Sequence, residues 1–125
     1  MKVFFVELGM GVDLHGQDLT VAAMRACRNA IERNSLPGLT HVLPNGDRRH
    51  MRVRVTLGVP ELADAAPVDL ERVKQVFPYG QVSIRIVPGG LLASSGVVLP
   101  EKGDRTDEII MVCAAVEVGV AEPGH

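Results

Sequence analysis

Two side chains able to do acid–base or metal chemistry, Asp13 and His15, lie two residues apart in the glycine-rich segment GMGVDLHG, residues 9–16. In an extended or turning backbone, residues at that spacing can point the same way. Histidine moves protons near neutral pH, and a carboxylate beside it can orient the ring or share a bound cation. The segment therefore predicts a site for proton transfer or cation binding, although ordinary turn residues beside a surface histidine would give the same pattern.

The glycine spacing excludes the dinucleotide-binding fingerprint, because Leu14 stands where that motif needs its third glycine. What remains is a strand, a glycine-lined turn and a helix N-terminus, a place where free backbone N–H groups favour an anion. Asp13 disfavours a bare phosphate there. Because glycines allow a ligand to approach the backbone closely, we expect Gly11 and Gly16 to line a ligand site.

The length of the chain predicts a single domain over residues 1–125. The formal net charge is -2 and aromatic residues make up 3% of the chain, so neither a basic patch nor a base-stacking platform for nucleic acid is expected. With no apolar stretch long enough to cross a bilayer and no secretory signal, we expect a cytoplasmic protein without membrane or nucleic-acid partners. Cys27 and Cys113 are expected to be small apolar side chains rather than a disulfide.

Hydropathy patterns predict the element order β-α-β-α-β-β, and so a two-layer α/β sandwich with a mixed four-stranded sheet. The two-residue alternation is clearest from Met51 to Val59, and Asp18 is the expected N-cap of the first helix. The predicted strands cover 2–8, 50–59, 81–87 and 109–120, the predicted helices 18–34 and 68–77, and the predicted loops 35–47 and 88–107.

Arginines lie opposite the apolar rows of the second and third predicted strands: Arg52, Arg54 and Arg85. A sheet with helices on one face and a mixed apolar and charged face on the other indicates that another subunit covers the second face. Arginines at such a contact need carboxylates or a polar ligand, so we expect Arg52 and Arg54 to contact a ligand between subunits. A solvated sheet face would give the same alternation.

Four segments together, GMGVDLHGQD (9–18), SLPG (35–38), VFPYG (76–80) and ASSGVVLPEKGDRTDEI (93–109), resemble a conserved hypothetical family of bacteria and plants marked by G-x-G-x-D-x-H-G. The resemblance covers nearly the whole chain and brings no settled reaction with it. It implies a Bacillus chorismate-mutase-like fold, whose members form trimers with sites between subunits. A homotrimer or a multiple of one is therefore expected, in agreement with the sheet-face argument.

The same fold includes methylerythritol cyclodiphosphate synthase, whose first strand ends in G-x-G-x-D-x-H and supplies an Asp and a His to a divalent metal. This distant similarity implies that Asp13 and His15 bind zinc or manganese, whose ligand preferences they suit. That family's third ligand, a second histidine before its helix, has no counterpart here. The candidates to replace it are Asp18, His41 and His50.

The segment ASSGVVL, residues 93–99, is similar to the serine segment of the ring-opening amidohydrolases, cyanuric acid hydrolase and barbiturase. In that family each serine works with a lysine, and the matching place here is Gly58, so the resemblance does not imply a Ser–Lys pair. Ser94 and Ser95 remain candidates to bind a carbonyl or carboxylate, with Ser95 also a catalytic candidate, and a simple turn is the alternative. Lys102 would supply a cation if its charged loop folds over the site.

Together these features predict an enzyme that acts on a small polar molecule, either cyclic or open-chain, at a subunit boundary. The expected chemistry is that of a hydrolase, lyase or isomerase, with His15 as general acid or base and Asp13 orienting it or sharing a metal with it. A non-catalytic trimer that binds a small molecule or serves as a scaffold is the alternative, and it would need no acid–base pair.

Overall fold

A five-stranded mixed sheet carries two helices on one face. The structure is a computed structural model that describes residues 1–32, 50–78 and 80–121. The predicted loop 35–47, the end of the first predicted helix and His41 lie outside the described residues. In chain order the described elements are β1 (Lys2–Asp13), α1 (Leu19–Glu32), β2 (Met51–Val59), α2 (Leu70–Lys74), β3 (Gln81–Pro88), β4 (Leu91–Ser94), a 3₁₀ turn (Pro100–Lys102) and β5 (Glu108–Val120).

The long strand β5 lies inside the sheet, whose order is β1-β5-β2-β3. It pairs antiparallel with β1 on one side and with β2 on the other, and β2 pairs parallel with β3. A strand that meets a core on only one face is expected to alternate between apolar and polar residues, whereas β5 is apolar at nearly every position. The predicted α/β sandwich and the order of its main elements are confirmed.

The prediction of four strands is wrong by one, because the short strand β4 lies within the predicted loop 88–107. It pairs antiparallel with β5 beyond the end of β2, placing Leu91 opposite Met111 and Ser94 opposite Glu108. The chain reaches this position through Gly89 and Gly90, which cross the end of β2. A side chain at Gly90 would lie 2.2 Å from the carbonyl oxygen of Met111, so glycine is needed at this crossing.

One hydrophobic core fills the space between the sheet and both helices. The predicted alternation of β2 is confirmed, since every second side chain from Met51 to Val59 is buried. The helix α1 contributes small side chains, which let it lie close to the sheet. The buried apolar residues of α1 are Leu19, Ala22, Ala23, Ala26, Cys27 and Ala30, and α2 adds Val73.

Gly9 and Gly11 lie within β1, so the prediction that the first strand ends at Leu8 and that these glycines form a turn is wrong. A Cβ atom on Gly9 would lie 2.4 Å from the carbonyl oxygen of Ala26. On Gly11 it would lie 2.1 Å from that of Ala22. The backbone of α1 therefore rests directly on β1, and the two glycines form the surface on which the helix packs.

Both helices begin at an aspartate. The predicted N-cap of α1 is confirmed, since Asp18 Oδ1 accepts hydrogen bonds from the backbone N–H groups of Thr20 (2.9 Å) and Val21 (3.1 Å). Asp69 caps α2 by accepting from Arg72 N at 3.3 Å. The helix α2 is shorter than the predicted 68–77. No helix among the described residues is long and apolar enough to cross a membrane.

The face of the sheet opposite the helices, called the open face below, carries large apolar side chains. Val6, Leu8 and Met10 of β1 are 54%, 64% and 53% exposed there. Towards β2 and β3 the open face becomes polar. By strand alternation its side chains include Val6, Leu8, Met10 and Val12 of β1, Met111, Cys113, Ala115 and Glu117 of β5, Arg52, Arg54 and Thr56 of β2, and Ser83 and Arg85 of β3.

Replacement of Gly11 by alanine is expected to lower the free energy of unfolding by about 2 kcal/mol or more, because the added methyl group must push α1 away from β1. Urea denaturation measures the loss. Gly58→Ala is the matched control, since a Cβ there would make ordinary contacts of 3.5 Å or more on the other face of the sheet. Equal losses in both variants would show that α1 does not depend on a glycine surface.

Candidate functional site

The side chain of His15 pairs with Asp104, a residue 89 positions away in the chain. His15 lies in the loop after β1 and Asp104 in the loop before β5, and His15 Nδ1 is 2.6 Å from Asp104 Oδ2. The carboxylate also accepts hydrogen bonds from the backbone N–H groups of Gly16 (2.7 Å) and Leu99 (3.0 Å). The side chain of Asp104 is 1% exposed and that of His15 is 25% exposed. A buried carboxylate thus fixes a partly accessible imidazole.

These contacts determine which nitrogen of His15 is available. Hydrogen bonds from Gly16 N and Leu99 N, followed by that from His15, lower the pKa of Asp104 from 3.8 to about 2. Asp104 is therefore an anion at neutral pH, so Nδ1 of the neutral imidazole carries the proton and Nε2 presents a lone pair. Within the described part of the chain Nε2 has no hydrogen-bond partner. A general base needs this arrangement.

Asp13, the expected partner of His15, instead positions the start of α1. Its Oδ2 accepts a hydrogen bond from Asp18 N at 2.9 Å, and its Oδ1 lies 3.5 Å from Arg25 Nη1. Arg25 also donates to the carbonyl oxygen of Val12 at 2.7 Å. The buried Asp13 carboxylate therefore joins the end of β1 to the helix, and the carboxylate beside His15 is supplied by Asp104.

Gln17, which the sequence reasoning did not single out, ties the loop after β1 to the loop before β5. Its Nε2 lies 2.6 Å from Thr106 Oγ1 and 3.2 Å from the carbonyl oxygen of Glu108, and its Oε1 accepts from Arg105 N at 3.1 Å. The backbone of Gln17 is left-handed, with φ of 53° after 112° at Gly16. Because a residue with a side chain rarely adopts this conformation, the hydrogen bonds of the buried amide hold it there.

Ser94 and Ser95 form a turn around Asp107. Ser94 Oγ donates to Asp107 Oδ2, Ser95 N donates to the carbonyl oxygen of Asp107 at 2.8 Å, and Gly96 N lies 3.2 Å from Asp107 Oδ2. Ser95 Oγ lies 2.8 Å from the same carbonyl oxygen. In the described structure neither serine bonds to His15. Both hydroxyl groups are hydrogen-bonded within this turn.

The loop that carries Lys102 folds over the segment after β1, as the cation hypothesis required, but its backbone makes the contact. A Cβ on Gly16 would lie 3.1 Å from the carbonyl oxygen of Lys102, and Gly103, with φ of 93°, lies against Gly16. The Lys102 side chain is exposed. Arg52 and Arg54 lie on the open face, where Arg54 pairs with Glu117.

The donor set of the described residues does not fit the zinc or manganese site that the resemblance implied. No three His, Cys, Asp or Glu side chains converge within the described ranges. The carboxylate of Asp13 is engaged by a backbone N–H and an arginine, and Asp18 Oδ1 caps α1. His50 is exposed at the start of β2, and His41 falls outside the description. The described residues therefore form no three-ligand metal centre.

A cleft of about 370 Å³ lies at the N-terminus of α1. The guanidinium group of Arg105 lies at this cleft and donates to the carbonyl oxygen of Asp64 at 2.8 Å. His15 is not among the lining residues, although the lining begins at the next residue. The cleft is lined by Gly16, Gln17, Asp18, Leu19, Thr20, Asp64, Ala66, Gly103 and Arg105.

Glu7 is a further buried acidic group. Nothing in the sequence indicated its burial, because the first strand is otherwise largely apolar. Glu7 is 3% exposed, and among the described residues neither of its buried carboxylate oxygens has a hydrogen-bond partner. Burial raises the pKa of this carboxyl group above its ordinary value. Glu7 lies on the same face of β1 as Gly9 and Gly11, which places it in the core layer and away from the His15 loop.

Asp104→Asn is expected to destabilise the protein at pH 7 and to lose that effect in acid. Because folding lowers the pKa of Asp104 from 3.8 to about 2, the stabilisation by its anion is complete well above pH 3.8 and disappears as the pH falls through about 2. Urea unfolding at several pH values measures the difference from the parent. Asp64→Asn, at an exposed position, is the control. A pH-independent difference for Asp104→Asn would contradict the prediction.

Comparison with known proteins gives a family without a reaction. Residues 3–118 match the family described as conserved hypothetical protein, Lin0512_fam. The crystal structure of an FtsZ-like protein of unknown function from Nostoc punctiforme PCC 73102 is similar, with 36% identity, a TM-score of 0.81 and 97% of each chain covered. No curated protein matches the chain. The expectation of a conserved hypothetical family is confirmed: the chain belongs to the Lin0512_fam family.

Proposed function

We propose that the protein acts on a small polar molecule by proton transfer at His15, in a hydrolase, lyase or isomerase reaction. The observation that carries this proposal is the 2.6 Å contact between His15 Nδ1 and the buried, anionic Asp104. A surface histidine without a role would not need a buried carboxylate held by two backbone N–H groups. The alternative is a purely structural link between two loops.

The proposed chemistry follows from the orientation of the ring. Asp104 accepts a hydrogen bond from Nδ1–H, which keeps the proton on Nδ1 and leaves Nε2 as the basic nitrogen. Nε2 takes a proton from the substrate or from a water molecule, the imidazolium ion that forms is stabilised by the adjacent anion, and the proton is then returned to the product or the leaving group. General acid–base catalysis of this kind contributes roughly 10²–10⁴ in rate.

The surroundings favour a polar substrate. The lining of the cleft at the N-terminus of α1 begins at Gly16, the residue after His15. Its lining includes one basic residue, Arg105, and two acidic residues, Asp18 and Asp64. Groups of both signs around about 370 Å³ suit a small molecule with polar substituents rather than an apolar one.

We further propose that another copy of the chain completes the site, in a homotrimer or a multiple of one. Support comes from exposed apolar side chains beside both loops: Leu14 precedes His15, and Val97 and Val98 precede Leu99, whose N–H binds Asp104. Exposed apolar side chains on the open face extend this surface. Surfaces of this kind mark contacts between proteins, and the trimers of chorismate-mutase-like proteins, which the sequence resembles, are consistent with this assembly.

The competing function is a non-catalytic binding module or scaffold. Asp104 joins Gly16 N to Leu99 N without needing the imidazole, so His15 would then serve only to complete the carboxylate's hydrogen bonds. The similar Nostoc punctiforme protein is described as FtsZ-like and of unknown function, which adds no reaction. The extent of the apolar open face is the observation that favours this alternative.

His15→Gln separates the two functions, because glutamine can still donate to Asp104 but offers no basic nitrogen. The parent and the variant are incubated with pools of small polar metabolites, and the loss of each compound is followed by mass spectrometry. We expect turnover by the parent and a rate about 10²–10⁴ lower in the variant. His50→Gln, altered at an exposed histidine just before β2, is the control and should retain full activity. Binding without turnover in all three proteins would support the scaffold.

Assembly through the open face is tested by the two cysteines. Cys113 is exposed on that face, whereas Cys27 is buried in α1, where burial raises the pKa of its thiol to about 12. Maleimide labelling of the native protein should therefore modify Cys113 alone. The labelling rate should fall as the protein concentration rises, because association covers the face.

The matched variant for this test is Leu8→Glu, which places a charge at the most exposed apolar position of β1. It should be a monomer by light scattering coupled to gel filtration, and it should label at a rate independent of concentration. A parent protein that is already a monomer at micromolar concentration would contradict the proposed assembly.

A further inference from the structure

A groove of about 410 Å³ on the open face brings together two arginines, a serine and one carboxylate: Arg54, Ser83, Arg85 and Glu117, with Ile84 completing its lining. A neighbouring recess of about 380 Å³ also includes Arg54 and Ser83. The two recesses adjoin at these two residues, along β2 and β3. This surface lies on strands, away from the loops that carry His15.

The strand register explains why these side chains meet. Arg54 lies opposite Ser83 on β3 and opposite Glu117 on β5, and Arg85 lies opposite Thr56, two residues further along β2. Side chains on one face of neighbouring strands are within reach of one another when they are opposite or diagonal. The two guanidinium groups therefore occupy diagonal positions of the same sheet face.

The positive charges in the groove are only partly compensated. Glu117 Oε2 accepts hydrogen bonds from both Nε and Nη2 of Arg54, so its carboxylate is engaged on one arginine. Arg85 makes no hydrogen bond or ion pair with any described residue. Like charges on neighbouring strands repel each other, and an exposed ion pair contributes little to stability. The fold itself therefore gives no reason for the second arginine.

We propose that this groove binds a small anion through a carboxylate or phosphate group held between Arg85 and Arg54. The planar guanidinium group forms paired hydrogen bonds with such oxyanions, and the Ser83 hydroxyl is placed to donate a further one. Glu117 competes with the anion for Arg54. This site is independent of the reaction proposed at His15. It uses Arg54 and Arg85 of the arginines that the sequence placed on this face, and it adds Ser83 and Glu117.

Titration calorimetry with inorganic phosphate and with citrate tests the site, at constant ionic strength maintained with sodium chloride. At least one of the two anions should bind saturably to the parent protein. Arg85→Gln should weaken binding about tenfold or more, the loss expected for a charge-assisted hydrogen bond. Glu117→Gln should strengthen it, because the competing carboxylate is removed. A general effect on folding would not move affinity in opposite directions.

Arg72→Gln is the control, because it removes the same charge from an exposed position on α2. Equal weakening by Arg72→Gln and Arg85→Gln, or no saturable binding of either anion, would overturn the proposal. Light scattering of the same variants shows whether the oxyanion is instead an acidic side chain of another copy of the chain. If neither anion binds and Arg85→Gln dissociates the oligomer, the groove receives an acidic side chain from another copy, which also overturns the small-anion site.

Discussion

The backbones of β1 and α1 are in direct contact, and this contact sets the path of the chain into the candidate site. Gly9 and Gly11 leave no room for side chains beneath the helix, so α1 must return over the strand that precedes it. The five residues 14–18 therefore have to reverse the direction of the chain between the end of β1 and the start of α1. The left-handed conformations of Gly16 and Gln17 and the hydrogen bond from Asp18 N to Asp13 are the local result.

The candidate site follows from this reversal together with the pairing of β1 with β5. Asp13 is the register partner of Ile110, so the loop that leaves β1 and the loop that enters β5 begin side by side. The buried groups that join them come from both loops, with Gln17 bonded to Thr106 and His15 to Asp104. The buried side chains of Gln17 and Asp104 must find hydrogen-bond partners, and each of them finds partners in the opposite loop. The imidazole orientation is therefore a consequence of the sheet register.

Features set by local pattern were predictable from the sequence, and features set by distant contacts were not. The alternation of β2 and the Asp18 cap need only neighbouring residues, and both are confirmed. The extension of β1 through its glycines depends on a helix that lies above it, so turn chemistry was the better local explanation and it was wrong. The pairing of His15 with Asp104 spans 89 positions, and a mixed run of charges gives no sign that one of its carboxylates is buried.

The open face combines two surfaces that would conflict if they were mixed. Its large apolar side chains lie on β1 and the adjoining part of β5, whereas its arginines lie on β2 and β3. Glu117 of β5 stands at the boundary, paired with Arg54. An assembly that buries the apolar part need not desolvate the arginines, whose burial without a partner would oppose association. Because the apolar and the charged side chains occupy separate parts of the open face, a subunit contact and an anion groove can exist side by side. Glu117 lies between the two parts, so formation of the subunit contact would affect anion binding through this residue.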